Sequence, residues 1–124
     1  MKPEWPIASG AHALISRIGG TPLVELRLGH RGANTTRIFA KLESVNPGGS
    51  VKDRPVARML LDAIAAGRFA NGRRLLDSSS GNAGISYATL GAALNIPVTI
   101  VAPGSASRDR FRRRGLLGLQ DSVP

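Results

Sequence analysis

Apolar residues along this chain come in short blocks set off by Gly, Pro and Ser, and the spacing within each block assigns an element. Leu23-Val24-Glu25-Leu26 follows the breaks at Gly19-Gly20 and Thr21-Pro22 and reads as a short strand. Residues 37–43, Arg-Ile-Phe-Ala-Lys-Leu-Glu, read as another strand. Val56, Met59, Leu60, Ala63 and Ile64 then recur on one helical stripe, which predicts a helix over 56–66. Pro55 suits its first turn and Gly67 its stop. Residues 74–77, Arg-Leu-Leu-Asp, read as a further strand that leads into a Ser-rich loop. Residues 85–94 form a second helix, with Ala88, Gly91, Ala92 and Ala93 small enough to lie close on a sheet, and Asn95 ends it. The last run, 97–102, is apolar on both faces, as a parallel strand covered on both sides requires. A short helix at 11–18 precedes all of these.

Strand, helix, strand, helix, strand with short links is a βαβ rhythm, so the expected class is α/β with a parallel sheet. Ligands of such sheets bind beyond the carboxyl ends of the strands. The two loops at those ends, 46–54 and 77–84, are therefore where chemistry is expected.

Composition narrows the classes. A chain of 124 residues holds at most one ordinary domain. It has no cysteine, which excludes a disulfide framework and thiolate metal sites. No window reaches membrane-span length and residues 1–6 lack a signal-peptide apolar core, so a cytoplasmic protein with no membrane partner is expected. The net charge is +9, and five arginines crowd residues 108–114. Such a run could face nucleic acid, but Phe111 is the only ring near it, so nucleic acid is the disfavoured partner. His12 and His30 each stand alone and read as surface residues.

Lysine is scarce. It stands only at 2, 41 and 52, and the other fourteen cations are arginines. Lys52 follows the loop Asn46-Pro47-Gly48-Gly49-Ser50-Val51 and precedes a helix. An amine can lose its proton and attack a carbonyl, which a guanidinium cannot do. The alternative reading of the same residues is a plain helix start, with Ser50 as cap and Lys52 in solvent. The second loop, Asp77-Ser78-Ser79-Ser80-Gly81-Asn82-Ala83-Gly84, offers hydroxyls and backbone N–H groups ahead of a helix, a setting that suits an anion.

Together the two loops resemble the fold-type II pyridoxal-phosphate enzymes of the cysteine synthase and cystathionine β-synthase group. The first pattern, N-P-x-x-S-x-K-[DC]-R, is met at Asn46, Pro47, Ser50, Lys52, Asp53 and Arg54. The second, [TS]-S-G-N-[TA]-G, is met at Ser79, Ser80, Gly81, Asn82 and Gly84. A third, I-G-x-T-P-L-V-x-L, runs from Ile18 to Leu26. The resemblance implies a partial domain of tryptophan synthase β-like fold that binds pyridoxal 5'-phosphate. Lys52 would hold the cofactor aldehyde as a Schiff base and act on the substrate α-carbon. A position near a helix N-terminus, and burial, would favour its neutral form. Asn82 would hydrogen-bond the phenolic oxygen of the cofactor. Ser79, Ser80, Gly81, Asn82 and Ala83 would close on the substrate α-carboxylate. Asp53 and Arg54 would pair or cap. The implied reaction is β-replacement on an activated serine, with a small amino-acid substrate and a sulfur nucleophile.

The resemblance spans residues 17–103. Ala83 stands where a threonine is usual, which removes one hydroxyl donor. Beyond residue 104 the pattern fails, and 111–124 reads as a truncated or frameshifted end. The expected organisation is residues 1–36 as part of a larger domain, 37–104 as a small cofactor domain, and 105–124 as a basic end. Ile15, Ile18, Leu23, Val24 and Leu26 would then leave apolar surface that favours aggregation or a homodimer. Two other readings stand beside an inactive enzyme fragment: a small basic α/β binding module, and a remnant that does not fold alone.

Overall fold

The computed structural model describes residues 9–26 and 37–101. The arginine run at 108–114, His30 and the whole of 105–124 lie outside the described residues. The elements are α1 (Ser9–Ile15), β1 (Leu23–Leu26), β2 (Ile38–Lys41), α2 (Asp53–Ala65), β3 (Leu75–Ser78), α3 (Asn82–Ala93) and β4 (Val98–Val101). Short 3-10 turns stand at Glu43–Val45 and Ala70–Gly72.

The α/β class holds, with one difference in the sheet. β3 and β4 pair in parallel, Leu75 opposite Val98 through Ser78 opposite Val101, and α3 crosses between them. β2 does not join them. It pairs antiparallel with β1, Leu23 opposite Lys41 through Leu26 opposite Ile38. β1 lies close in sequence, so closing that loop costs β2 little entropy. Spacing alone could not choose between the two partners.

Helix ends follow local chemistry. α2 starts at Asp53, three residues ahead of the apolar stripe, and so takes Pro55 into its first turn. The N–H that proline lacks has no intrahelical partner there. At the other end Gly67 is left-handed, with φ 66. Its N–H reaches the Ile64 carbonyl, and that of Arg68 reaches Ala63, both at 2.9 Å, which closes a Schellman motif. α3 ends likewise. Asn95 takes φ 56, and the N–H of Ile96 bonds the Gly91 carbonyl at 2.8 Å.

The core lies where α1, α2, α3 and β4 meet. Ala11, Val56, Leu60, Phe69, Leu90, Leu94, Ile96 and Ile100 fill it. The α2 stripe is turned from its expected setting: Ala57 is buried, and Met59 is exposed apart from a contact with the Tyr87 hydroxyl. Gly91 sits where α3 presses on β4. A Cβ there would strike the Val98 side chain and come within 3.2 Å of the Ile96 carbonyl.

Cover is one-sided among the described residues. In the β3–β4 pair, Val98 and Ile100 are buried, but Leu76 and Val101 on the opposite face are exposed. The expectation that the 97–102 strand is covered on both faces is therefore not met, because two strands carry a helix on one face only. The β1–β2 ribbon is barer still. Val24, Leu26, Ile38 and Ala40 share one of its faces, and Leu26 and Ile38 are exposed.

Gly91→Ala is expected to destabilise the chain by about 1–3 kcal/mol, because the overpacked methyl meets backbone as well as a side chain. Urea denaturation checks this: the midpoint falls while the slope is unchanged. Replacing Leu26 and Ile38 with lysine is expected to reduce concentration-dependent association, measured by analytical ultracentrifugation, without lowering the thermal midpoint.

Candidate active site

The first loop leaves β2 and is wound around Asn46. This side chain is buried, so each of its polar atoms needs a partner. Its Oδ1 accepts the Gly19 N–H at 2.9 Å. Its Nδ2 donates to the Glu43 carbonyl at 2.9 Å, the Glu43 carboxylate at 2.8 Å and the Ser50 carbonyl at 3.0 Å. Asn46 thus holds a turn. Ser50, also buried, accepts the Lys52 N–H on its hydroxyl at 3.2 Å.

Glu43 is the residue that sequence reasoning missed. Its carboxylate takes two bonds from the Arg54 guanidinium, both at 2.8 Å, and one from the Thr21 hydroxyl at 2.6 Å. Arg54 also donates to Thr21 at 3.2 Å. The Lys41 amine donates to the Thr21 carbonyl. One carboxylate therefore ties the Gly19–Thr21 segment to the loop and to the start of α2. Arg54 pairs, as expected, but nothing in the spacing pointed to Glu43 as its partner. The Arg54 hydrogen bonds, with those from Thr21, outweigh desolvation and hold the Glu43 carboxyl at about 2, below its ordinary 4.5.

Lys52 is the N-cap residue of α2. Its side chain is exposed rather than buried, since no described element passes over it. Asp53 begins the helix and is buried. Its Oδ2 accepts the Gly48 N–H at 2.5 Å, and its Oδ1 meets the Ser86 hydroxyl of α3. A Cβ on Gly48 would collide with that carboxylate, so only glycine lets the loop close on it.

The second loop leaves β3. The Ser79 N–H extends the sheet to the Val101 carbonyl at 3.0 Å. The Ser79 hydroxyl accepts the N–H groups of Gly81 at 3.3 Å and Gly84 at 3.0 Å, and so caps the start of α3. Ser80 and Asn82 are exposed, Gly81 is half-buried, and Ala83 packs against the core. Lys52 and Asn82 thus stand at the N-termini of two helices packed together. The Asp53–Ser86 contact lies between those termini. Burial, and then the nearby Asp77, raise the Tyr87 phenol pKa.

Comparisons with known proteins give the family and the fold. Residues 14–120 match the model of a family described as pyridoxal-phosphate dependent enzyme. A cysteine synthase of Aquifex aeolicus (strain VF5) is 42% identical over 109 residues, 86% of this chain and 33% of that protein. A cystathionine beta-synthase of Saccharomyces cerevisiae is 36% identical over 115 residues, 91% of this chain and 23% of that protein. The crystal structure of a cysteine synthase from Entamoeba histolytica superposes with a TM-score of 0.83 at 35% identity. It covers 99% of this chain and 36% of that one. The chain thus spans about a third or less of the length of these relatives.

The Glu43 network should show in acid. Its folded pKa lies below the ordinary value, so its contribution to stability is whole above pH 4.5 and fades as pH falls towards 2. Glu43→Gln is expected to flatten that part of the stability profile, measured by urea denaturation at stepped pH.

Proposed function

The chain belongs to the pyridoxal-phosphate dependent enzyme family, and on that premise we propose that it carries the cofactor lysine and the substrate-carboxylate loop of a β-replacement reaction on an activated serine. The observation that carries this reading is the pairing of two helix N-termini. One bears Lys52 and the other Asn82, behind the Ser79–Gly81 loop. The donor set fits the group. Lys52 offers an exposed amine and Asn82 an exposed amide. The Ser79 hydroxyl takes the Gly84 N–H, while the N–H groups of Asn82 and Ala83 have no partner within the helix and face an anion favourably.

When bound, pyridoxal phosphate supplies an electron sink for charge that develops at the substrate α-carbon. The residues of this chain do the rest. Lys52 would hold the cofactor through its amine, and the same amine, when free and neutral, would accept the substrate α-proton. Asn82 fixes the orientation of the ring through a hydrogen bond. The N-terminus of α3 takes the substrate carboxylate, with Ser80 beside it. Ser79 supports the loop from within by capping Gly84. Ala83 is turned to the core and contributes only backbone. The nucleophile that completes the replacement is a small sulfur compound.

Lys52 and the Ser79–Asn82 loop form one wall, and no described residue forms a second wall across from Lys52 or a phosphate cradle. Water therefore reaches the amine freely. We expect this chain by itself to turn over an activated serine and sulfide no faster than free cofactor does, in an assay of cysteine formation.

Attachment is tested by incubating the chain with pyridoxal phosphate, reducing with borohydride and mapping the peptides. Label is expected on Lys52. Lys41 already donates to the Thr21 carbonyl and should take little. Label on Lys2 or Lys41 in place of Lys52 would refute the assignment.

A further inference from the structure

Asp53 and Ser86 are 1% and 0% exposed, and neither is explained by packing alone. A carboxylate out of water costs several kcal/mol unless it is paired or fully hydrogen-bonded. Among the described residues no cation pairs with Asp53, because the neighbouring Arg54 is committed to Glu43. The carboxylate is held by the Gly48 N–H on one oxygen, the Ser86 hydroxyl on the other, and its place at the positive end of α2. Ser86 in turn lies 3.1 Å from the Asn82 carbonyl. A continuous chain of polar contacts, buried at its centre, therefore runs from the loop ahead of Lys52, through the residue after it, to the backbone of Asn82.

We propose that the Asp53 carboxylate and the Ser86 hydroxyl form a clamp that positions Lys52 relative to Asn82, so that one cofactor can meet both. The inference rests on the proposed attachment at Lys52. Both are positioning residues, since neither side chain is exposed to reach a ligand. The clamp works by hydrogen-bond geometry rather than by charge. An asparagine at 53 can do the same work: its oxygen accepts the Gly48 N–H, its amide donates to Ser86, and the Ser86 hydroxyl turns to the Asn82 carbonyl. Alanine at 53 breaks both contacts, and alanine at 86 breaks the one between helices.

The full chain and its Asp53→Ala, Asp53→Asn and Ser86→Ala variants are compared in two measurements. The first is the rate of borohydride-trapped label at Lys52 with pyridoxal phosphate. The second, without cofactor, is hydrogen exchange at the Gly48 amide relative to the core amide of Leu60. Misplacing a reacting group by an ångström costs up to about 100-fold, so Asp53→Ala and Ser86→Ala are expected to slow labelling about 10-fold or more. Asp53→Asn should stay within about 3-fold of the parent chain, since it keeps the hydrogen bonds. Gly48 exchange should quicken about 10-fold in Asp53→Ala and stay near the parent rate in Asp53→Asn. Labelling of Ser86→Ala at the parent rate, or Asp53→Asn as slow as Asp53→Ala, overturns the clamp. If Asp53→Ala loses Leu60 protection and so unfolds, the Ser86→Ala and Asp53→Asn results decide. If the parent chain takes no label at Lys52, the cofactor reading fails. The Gly48 exchange pattern then upholds the loop clamp, or overturns it if the rates are equal.

Discussion

A carboxylate buried between two helices is the constraint on which this site depends. Asp53 opens α2, closes the glycine loop onto itself through the Gly48 N–H, and meets α3 through Ser86. Each contact satisfies a group that would otherwise be stranded away from water. The same contacts fix where the two loops stand. A lysine at one helix start and an asparagine at another have no common chemistry until something sets their separation. Here that something is buried, and it leaves Lys52 and Asn82 themselves exposed.

A second network performs the matching task on the other side of the loop. Glu43 gathers Thr21, Arg54 and Asn46, so the ribbon formed by β1 and β2 is tied to α2 by hydrogen bonds more than by apolar packing. The consequence is a division of labour. The helices and β4 hold the core, while the ribbon is anchored at its base and leaves Leu26 and Ile38 bare. Polar ties of this kind are directional, which suits a segment whose task is to hold a loop in one conformation. They are also sensitive to protonation, whereas the core is not.

The helix stops were legible because their cause is local. Gly67 and Asn95 adopt the left-handed conformation that ends a helix, and any reading of composition and spacing finds them. The start of α3 was legible for a similar reason. A hydroxyl-rich loop ahead of a helix caps it, whatever else it does, and Ser79 does so. The setting of the α2 stripe was less so, since Met59 and Ala57 exchange inside and outside according to what packs across from them.

By itself, then, the sequence determined the strands, the helices, their stops and the two glycine- and serine-rich loops between them, because each depends on neighbours a few residues away. Tertiary structure alone decided that β2 pairs with β1, that Glu43 is the partner of Arg54, and that Asp53 reaches Ser86. These contacts join residues 11 to 33 positions apart. No periodicity encodes such a pairing. It follows from burial, which leaves each buried polar group only the partners that the packed chain brings within reach.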